Sequence, residues 1–141
     1  MTFFGGTYTA EGITAIADAL RVNGALTSLD IRSNNIAGDG AAQLSAAVLG
    51  NLKIEMFNEI PIKEMRANSI TELDLKEKGL GVEGGMVVAG LLPVMGSLTS
   101  LNLGHNQLCG LDQFGQGTYT AEGITAIADA LRVNGALTKI E

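Results

Sequence analysis

The chain has 141 residues, 46% of them apolar and 17% charged, which excludes a disordered polypeptide and allows one hydrophobic core but not two. A formal net charge of −6 repels phosphate backbones and anionic lipid headgroups, so nucleic acid and membrane surfaces are excluded as partners. The one cysteine, Cys109, forms no internal disulfide, and the most apolar run, "MVVAGLLPVM" at 86–95, is about half the length of a bilayer span. These features give the expectation of a cytoplasmic chain.

Residues 6–27 return unchanged at 117–138, a run of 22 identical residues at an offset of 111. Inside it, "EGITAIADALRVNGAL" places Ile13, Ile16, Ala17 and Leu20 on one stripe, which predicts an amphipathic helix stopped by a left-handed Asn23-Gly24. "LTSLDIRSNNI" at 26–36 then alternates, and predicts a short strand with Leu29 and Ile31 inward and Ser28, Asp30 and Arg32 outward. Asn34 turns the chain, its side chain bonding the next coil, and Ile36 returns to the core. A degenerate copy, "IEMFNEIPIKE", starts at Ile54, with Phe57 in an apolar place and Glu59 where a buried aliphatic belongs. Only 16 residues separate it from the next start at Ile70, so an irregularity is expected around 58–68. "ITELDLKEKGL" at 70–80 and "LTSLNLGHNQL" at 98–108 restore the pattern, and a fifth copy begins at Leu137. Before the last helix, about 11 extra residues, "CGLDQFGQGTY" at 109–119, form a rim insertion that carries Phe114 and Tyr119.

The shared pattern, L-x-x-L-x-L-x-x-N-x-L with full units near 28 residues, resembles the leucine-rich repeat proteins of the ribonuclease-inhibitor-like class. That class also occurs in the sensor domains of nucleotide-binding innate-immunity receptors and in the Ran GTPase-activating protein. At the asparagine position stand Asn34 and Asn106, but Ile62 and Lys78 in the other two units. The resemblance implies an α/β fold: a right-handed leucine-rich-repeat solenoid, a partial horseshoe with a parallel inner sheet and outer helices. Residues 1–141 would form one domain of four to five coils. Neither end has a polar-faced capping unit, so the expectation is a fragment of a longer array, with end-to-end self-association through its uncapped coils.

Catalytic chemistry finds little support. "GLGVEG" at 79–84 spells G-x-G-x-x-G, but the equivalent "NIAGDG" at 35–40 makes the same turn without those glycines, and Asn102 stands where a ribose-binding carboxylate belongs. Glu72 and Asp74 lie two apart on one strand face with Lys76 beside them and no His or Cys to complete a metal site, and His105 has no nucleophile partner. No catalytic, cofactor or metal site is expected. Binding is assigned to the concave sheet face, where Asp30, Asn58, Asp74 and Asn102 form a polar ladder flanked by Ser28, Met56, Glu72 and Ser100 and by Arg32 and Lys76. Phe114 and Tyr119 add the rim, and the acidic centre predicts a protein partner with a basic surface. The expected function is a non-catalytic protein–protein interaction scaffold. The alternatives are a regulator of a small GTPase, which the resemblance to the Ran GTPase-activating protein allows, and a structural spacer within a larger array.

Overall fold

An amphipathic segment cannot cover its own apolar stripe, and in the computed structural model, which describes residues 11–34, 36–111, 114 and 120–141, each unit covers the next. The order is α1 (Glu11–Val22), β1 (Ser28–Leu29), α2 (Gly38–Gly50), β2 (Met56–Phe57), α3 (Ile62–Arg66), β3 (Glu72–Asp74), α4 (Gly81–Leu91), β4 (Ser100–Asn102), α5 (Glu122–Val133) and β5 (Lys139–Ile140), with a 3₁₀ turn at Leu92–Val94. Helices pack in the sequence α1 on α2, α2 on α4 and α4 on α5. α4 lies between two helices and is apolar on almost every side, as a doubly covered helix must be. Leu44, Ile54, Phe57, Leu80, Leu92, Leu98 and Leu101 fill the space between helices and strands, each fully buried. None of the helices among the described residues is long and apolar enough to cross a membrane.

The strands pair in parallel, in register with the repeats: Ser28 with Met56 and Leu29 with Phe57, then Glu72 with Ser100, Ser100 with Lys139, and Leu101 with Leu73 and Ile140. They form two sheets, β1-β2 and β3-β4-β5, instead of the one continuous sheet the repeats led us to expect. The break has a local cause. Asn58 and Glu59 both take left-handed φ angles, 50° and 66°, and reverse the chain so that Phe57 and Ile60 exchange backbone hydrogen bonds of 3.2 and 2.7 Å. Glu59 is thereby thrown outward, and Ile60 and Ile62 take the buried places. The irregularity thus falls where the 16-residue spacing put it, and α3 is one short turn in place of a full helix. Its Arg66 spans to the end of α2 and donates to Leu49 O at 2.8 Å, capping carbonyls that a longer neighbouring helix would otherwise shield.

The helix ends differ from the left-handed stop expected at Asn23-Gly24. Neither residue has a positive φ, and Asn134, the repeat of Asn23, ends α5 in extended conformation. The asparagine acts through its amide instead: Oδ1 of Asn23 accepts the N–H groups of Ala25 and Leu26, and Oδ1 of Asn134 those of Ala136 and Leu137. Nδ2 of Asn134 donates to Leu92 O at 2.9 Å, and Nδ2 of Asn51 likewise to Leu20 O at 2.8 Å, so each helix end is tied to the one before it.

The duplicated glycine shows how environment separates identical sequences. A Cβ on Gly123 would lie 2.6 Å from Leu108 O, where α5 crosses closely over α4 beside Gly85. On Gly12 in α1 it would meet no described atom within 4 Å. We therefore expect Gly12→Ala to leave the melting temperature unchanged or raise it, since helix propensity adds up to about 1 kcal/mol of stability. Gly123→Ala should lower the melting temperature, through a backbone clash that costs about 2 kcal/mol of stability. Thermal melts of the two variants, read side by side, check this.

Candidate functional site

Strand alternation places Glu72 and Asp74 on the outer face of β3, Ser100 and Asn102 on that of β4, and Lys139 on that of β5. Parallel register makes rows of them, Glu72–Ser100–Lys139 and Asp74–Asn102–Glu141, and Nδ2 of Asn102 donates to Glu141 Oε2 at 2.9 Å. Lys76 follows Asp74 with its side chain exposed beside Gly104. Lys139 and Glu141 belong to this face and were not among the residues expected there. The signal lay in the duplication, because Thr138 and Lys139 repeat the strand position of Thr27 and Ser28.

The aspartates and asparagine of the expected ladder have a second task. Asp30 Oδ1 accepts the N–H of Arg32 at 3.2 Å, Asp74 Oδ1 that of Lys76 at 3.0 Å, and Asn102 Oδ1 that of Gly104 at 2.9 Å. Each closes the turn at its strand end in the manner of an Asx turn, so polarity at this position is required before any partner arrives.

The expected ladder is broken at its second rung. Asn58 is fully buried: the reversal after Phe57 turns its side chain inward, where Oδ1 accepts the N–H of Ile31 at 2.9 Å and Nδ2 donates to Glu83 Oε2 at 3.1 Å. It cannot touch a partner. Asp30 is on the surface but held by Arg32, whose guanidinium grips both of its oxygens at 2.9 and 2.7 Å. That grip holds the Asp30 carboxyl below its usual range. Arg32 also donates to Lys78 O at 2.7 Å and lies 3.2 Å from Glu59, so it bridges the two sheets. Ser28 and Met56 are exposed on the smaller sheet, apart from the three-stranded rows. Phe114 is 77% exposed, and Tyr119 lies outside the described residues.

Asn106 explains why the repeat keeps an asparagine. It is buried, its Oδ1 accepts the N–H groups of Lys78 and Leu80 at 2.9 and 3.3 Å, and its Nδ2 donates to Leu75 O and Leu103 O at 2.7 and 2.9 Å. The side chain thus ties its own turn to the preceding coil, not to the next one as expected. Asn34, in the first coil, donates to its own turn at Ile31 O and Arg32 O.

Two family models match the chain, both described as leucine-rich repeat, over residues 25–45 and 97–116. The second contains β4 and Asn106, the strand and the amide hub just described. These stretches of the chain carry leucine-rich repeats. No curated protein matches it.

Leucine-rich repeats lend themselves to binding through exposed strand faces, and the chemistry outside that face is sparse. Among the described residues no group of three or more His, Cys, Asp and Glu is arranged to hold a metal ion. His105 is exposed with φ of 56°, and Cys109 is half-buried. The glycines of "GLGVEG" are accounted for by packing inside the repeat: Gly81 has φ of 66°, and a Cβ there would lie 2.8 Å from Glu83 Oε1, while one on Gly84 would press on Leu80.

Glu83 is the functional-looking group that sequence reasoning passed over. It sits 4% exposed near the start of α4, and burial pushes its carboxyl up to about 7, against the lowering effect of its own backbone N–H and of Asn58. The proton is held by the folded state and lost more easily by the unfolded one. Stability from this group is therefore fully present below about 4.5 and is lost as pH rises through about 7. Glu83→Gln, which keeps the acceptor for Asn58, should remove that dependence and gain up to about 3 kcal/mol over the wild type above neutrality. Melting temperatures of both proteins across this pH range check it; parallel curves would show that Glu83 does not titrate in this window.

Proposed function

We propose that the protein is a non-catalytic protein-binding module, built as a short right-handed solenoid whose concave face is the outer surface of β3, β4 and β5. Leucine-rich repeats generally serve as protein–protein interaction modules. The observation that carries the reading is the hydrogen-bonded row Asp74–Asn102–Glu141 beside Glu72–Ser100–Lys139, a polar surface in fixed register on three strands. Its carboxylates outnumber its one lysine in these rows, which favours a partner presenting Lys or Arg, drawn in more weakly as salt screens the field. Ser28, Met56 and the Asp30–Arg32 pair extend the face toward the smaller sheet, and Phe114 stands as an exposed apolar contact at the rim.

Regulation of a small GTPase, which the family resemblance allows, rests on no named residue of this chain. A cytoplasmic setting agrees with the single half-buried cysteine.

The test uses Glu72→Gln with Asp74→Asn, because Asn preserves the acceptor that closes the turn onto Lys76 while removing the charge. Wild type and double variant, immobilised side by side at low salt, are offered soluble extract, and retained proteins are quantified. A partner held by the wild type and reduced about tenfold on the double variant supports the reading. Equal retention on both removes this face as the binding surface.

A further inference from the structure

The helix layer and the strand layer part company at one boundary. Between the second and third coils the helices continue, α2 packing on α4, but the strands do not pair. Among the described residues no backbone hydrogen bond joins residues 26–66 to residues 72–141. Past the strand ends this boundary is spanned by side chains alone. Arg32 donates to Lys78 O at 2.7 Å and Lys78 Nζ lies 3.9 Å from Glu59, both at the surface, while beneath them Asn58 Nδ2 donates to Glu83 Oε2 at 3.1 Å. At the opposite rim, before the strands begin, the chain itself crosses from one coil to the next, and Asn68 Oδ1 accepts the N–H of Ser97 at 3.0 Å.

The buried link is the one that a proton can break. Glu83 folds back over the start of α4, where a Cβ on Gly81 would lie 2.8 Å from its Oε1, and its side chain is bonded by Asn58. The charged groups on the elements packed against α4 have other partners or face solvent. On α2, Asp39 is exposed. On α3, Glu64 is exposed, Lys63 pairs with Glu55, and Arg66 donates to Leu49 O. On α5, Asp129 pairs with Arg132, and Glu122 accepts the hydroxyl of Thr120. Glu59, next to Asn58, points outward to Arg32 and Lys78. What acts on the Glu83 carboxyl is burial first, then its own backbone N–H and Asn58, with no cation among them. An ionised carboxylate held there without a counter-charge is strongly disfavoured until water reaches it.

We propose that loss of the Glu83 proton parts the two sheets at their strand ends, with the contact of α2 on α4 as the hinge. Opening here breaks side-chain links only. Parting any other neighbouring strands would break ladder bonds such as Asn58 N–H to Leu29 O or Leu75 N–H to Asn102 O, each 2.9 Å. Burial holds the carboxyl at about 7 in the closed form, against an ordinary value of 4.5 once it is hydrated. The open form therefore gains on the closed one as pH rises from about 4.5, and the gain is complete above about 7. Arg32, Glu59 and Lys78 at the surface oppose the opening, and salt weakens their hold.

Ser28 and Lys139 are exposed, hold the same repeat position and lie in different sheets, so labels on them report the separation. Ser28→Cys and Lys139→Cys are combined with Cys109→Ser and spin-labelled. The distance between labels is read by double electron–electron resonance at pH about 5.5 and about 8.5, on either side of the Glu83 titration, with circular dichroism on each sample. The labelled parent should show a longer and broader distance distribution at the higher pH with its helical spectrum unchanged. Adding Glu83→Gln should give the low-pH distribution at both values. Equal distributions in the parent, or a Glu83→Gln variant that changes as much as the parent, overturn the proposal. Loss of the helical spectrum at the higher pH overturns it too, because ionisation would then unfold the chain instead of opening a hinge. Glu83→Leu, which also lacks the carboxyl, takes the place of Glu83→Gln if that variant does not fold.

Discussion

Strands of two or three residues leave most backbone groups of a coil without a ladder partner, and asparagine side chains take them up. A buried N–H or C=O without a partner costs on the order of 1–3 kcal/mol, so a stack of such coils stands only if each turn is satisfied from a neighbour. Asn106 serves two N–H groups and carbonyls from two coils at once, Asn51 and Asn134 join successive helix ends, and Asn58 serves Ile31. No buried side-chain polar atom among the described residues lacks a partner. Aliphatic packing gives the repeat its stability, but these amides determine which coil sits on which.

The junction between the second and third coils departs from the rule, and its features follow from one another. The reversal at Asn58 and Glu59 ends the first sheet, and Lys78 stands where an asparagine would have tied the next coil back. Arg32 then crosses from the first coil to Lys78 O, and Asn58 meets the buried Glu83. A titrating carboxyl therefore sits at the one place where strand pairing is absent between neighbouring coils of the described residues. The acidic surface also changes character here, since Asp30 is neutralised by Arg32 while Glu72 and Asp74 keep to the other sheet.

The repeat and its alternation were legible because strand period and helix period are written in the apolar residues: Leu73, Leu75, Leu101 and Leu103 are buried, as the pattern requires. The outward positions of β3 and β4 were legible for the same reason. Asn58 was not, because its place in the alignment said outward, while a two-residue turn of left-handed φ, which Asn tolerates, rotated it inward. The direction of the asparagine bonds, backward to the preceding coil, depends on how coils stack and cannot be taken from one unit. Glu83 was hidden inside a glycine pattern that invited a cofactor reading, and only the burial of its carboxyl gives it significance.

The close crossing at Gly123 has a bearing on how this chain can change over time. Two segments with the same letters are under unlike restrictions: Gly123, Ile127 and Ala130 are confined by α4, whereas Gly12 and Ala19 face outward, and Ala17 is confined by α2 while Ala128 is not. Neutral drift in the two copies is therefore channelled onto opposite faces. As they diverge, the earlier segment loses its fit to an α4-like neighbour and the later one its fit to an α2-like neighbour, so an interchangeable pair of units becomes two that no longer substitute for each other.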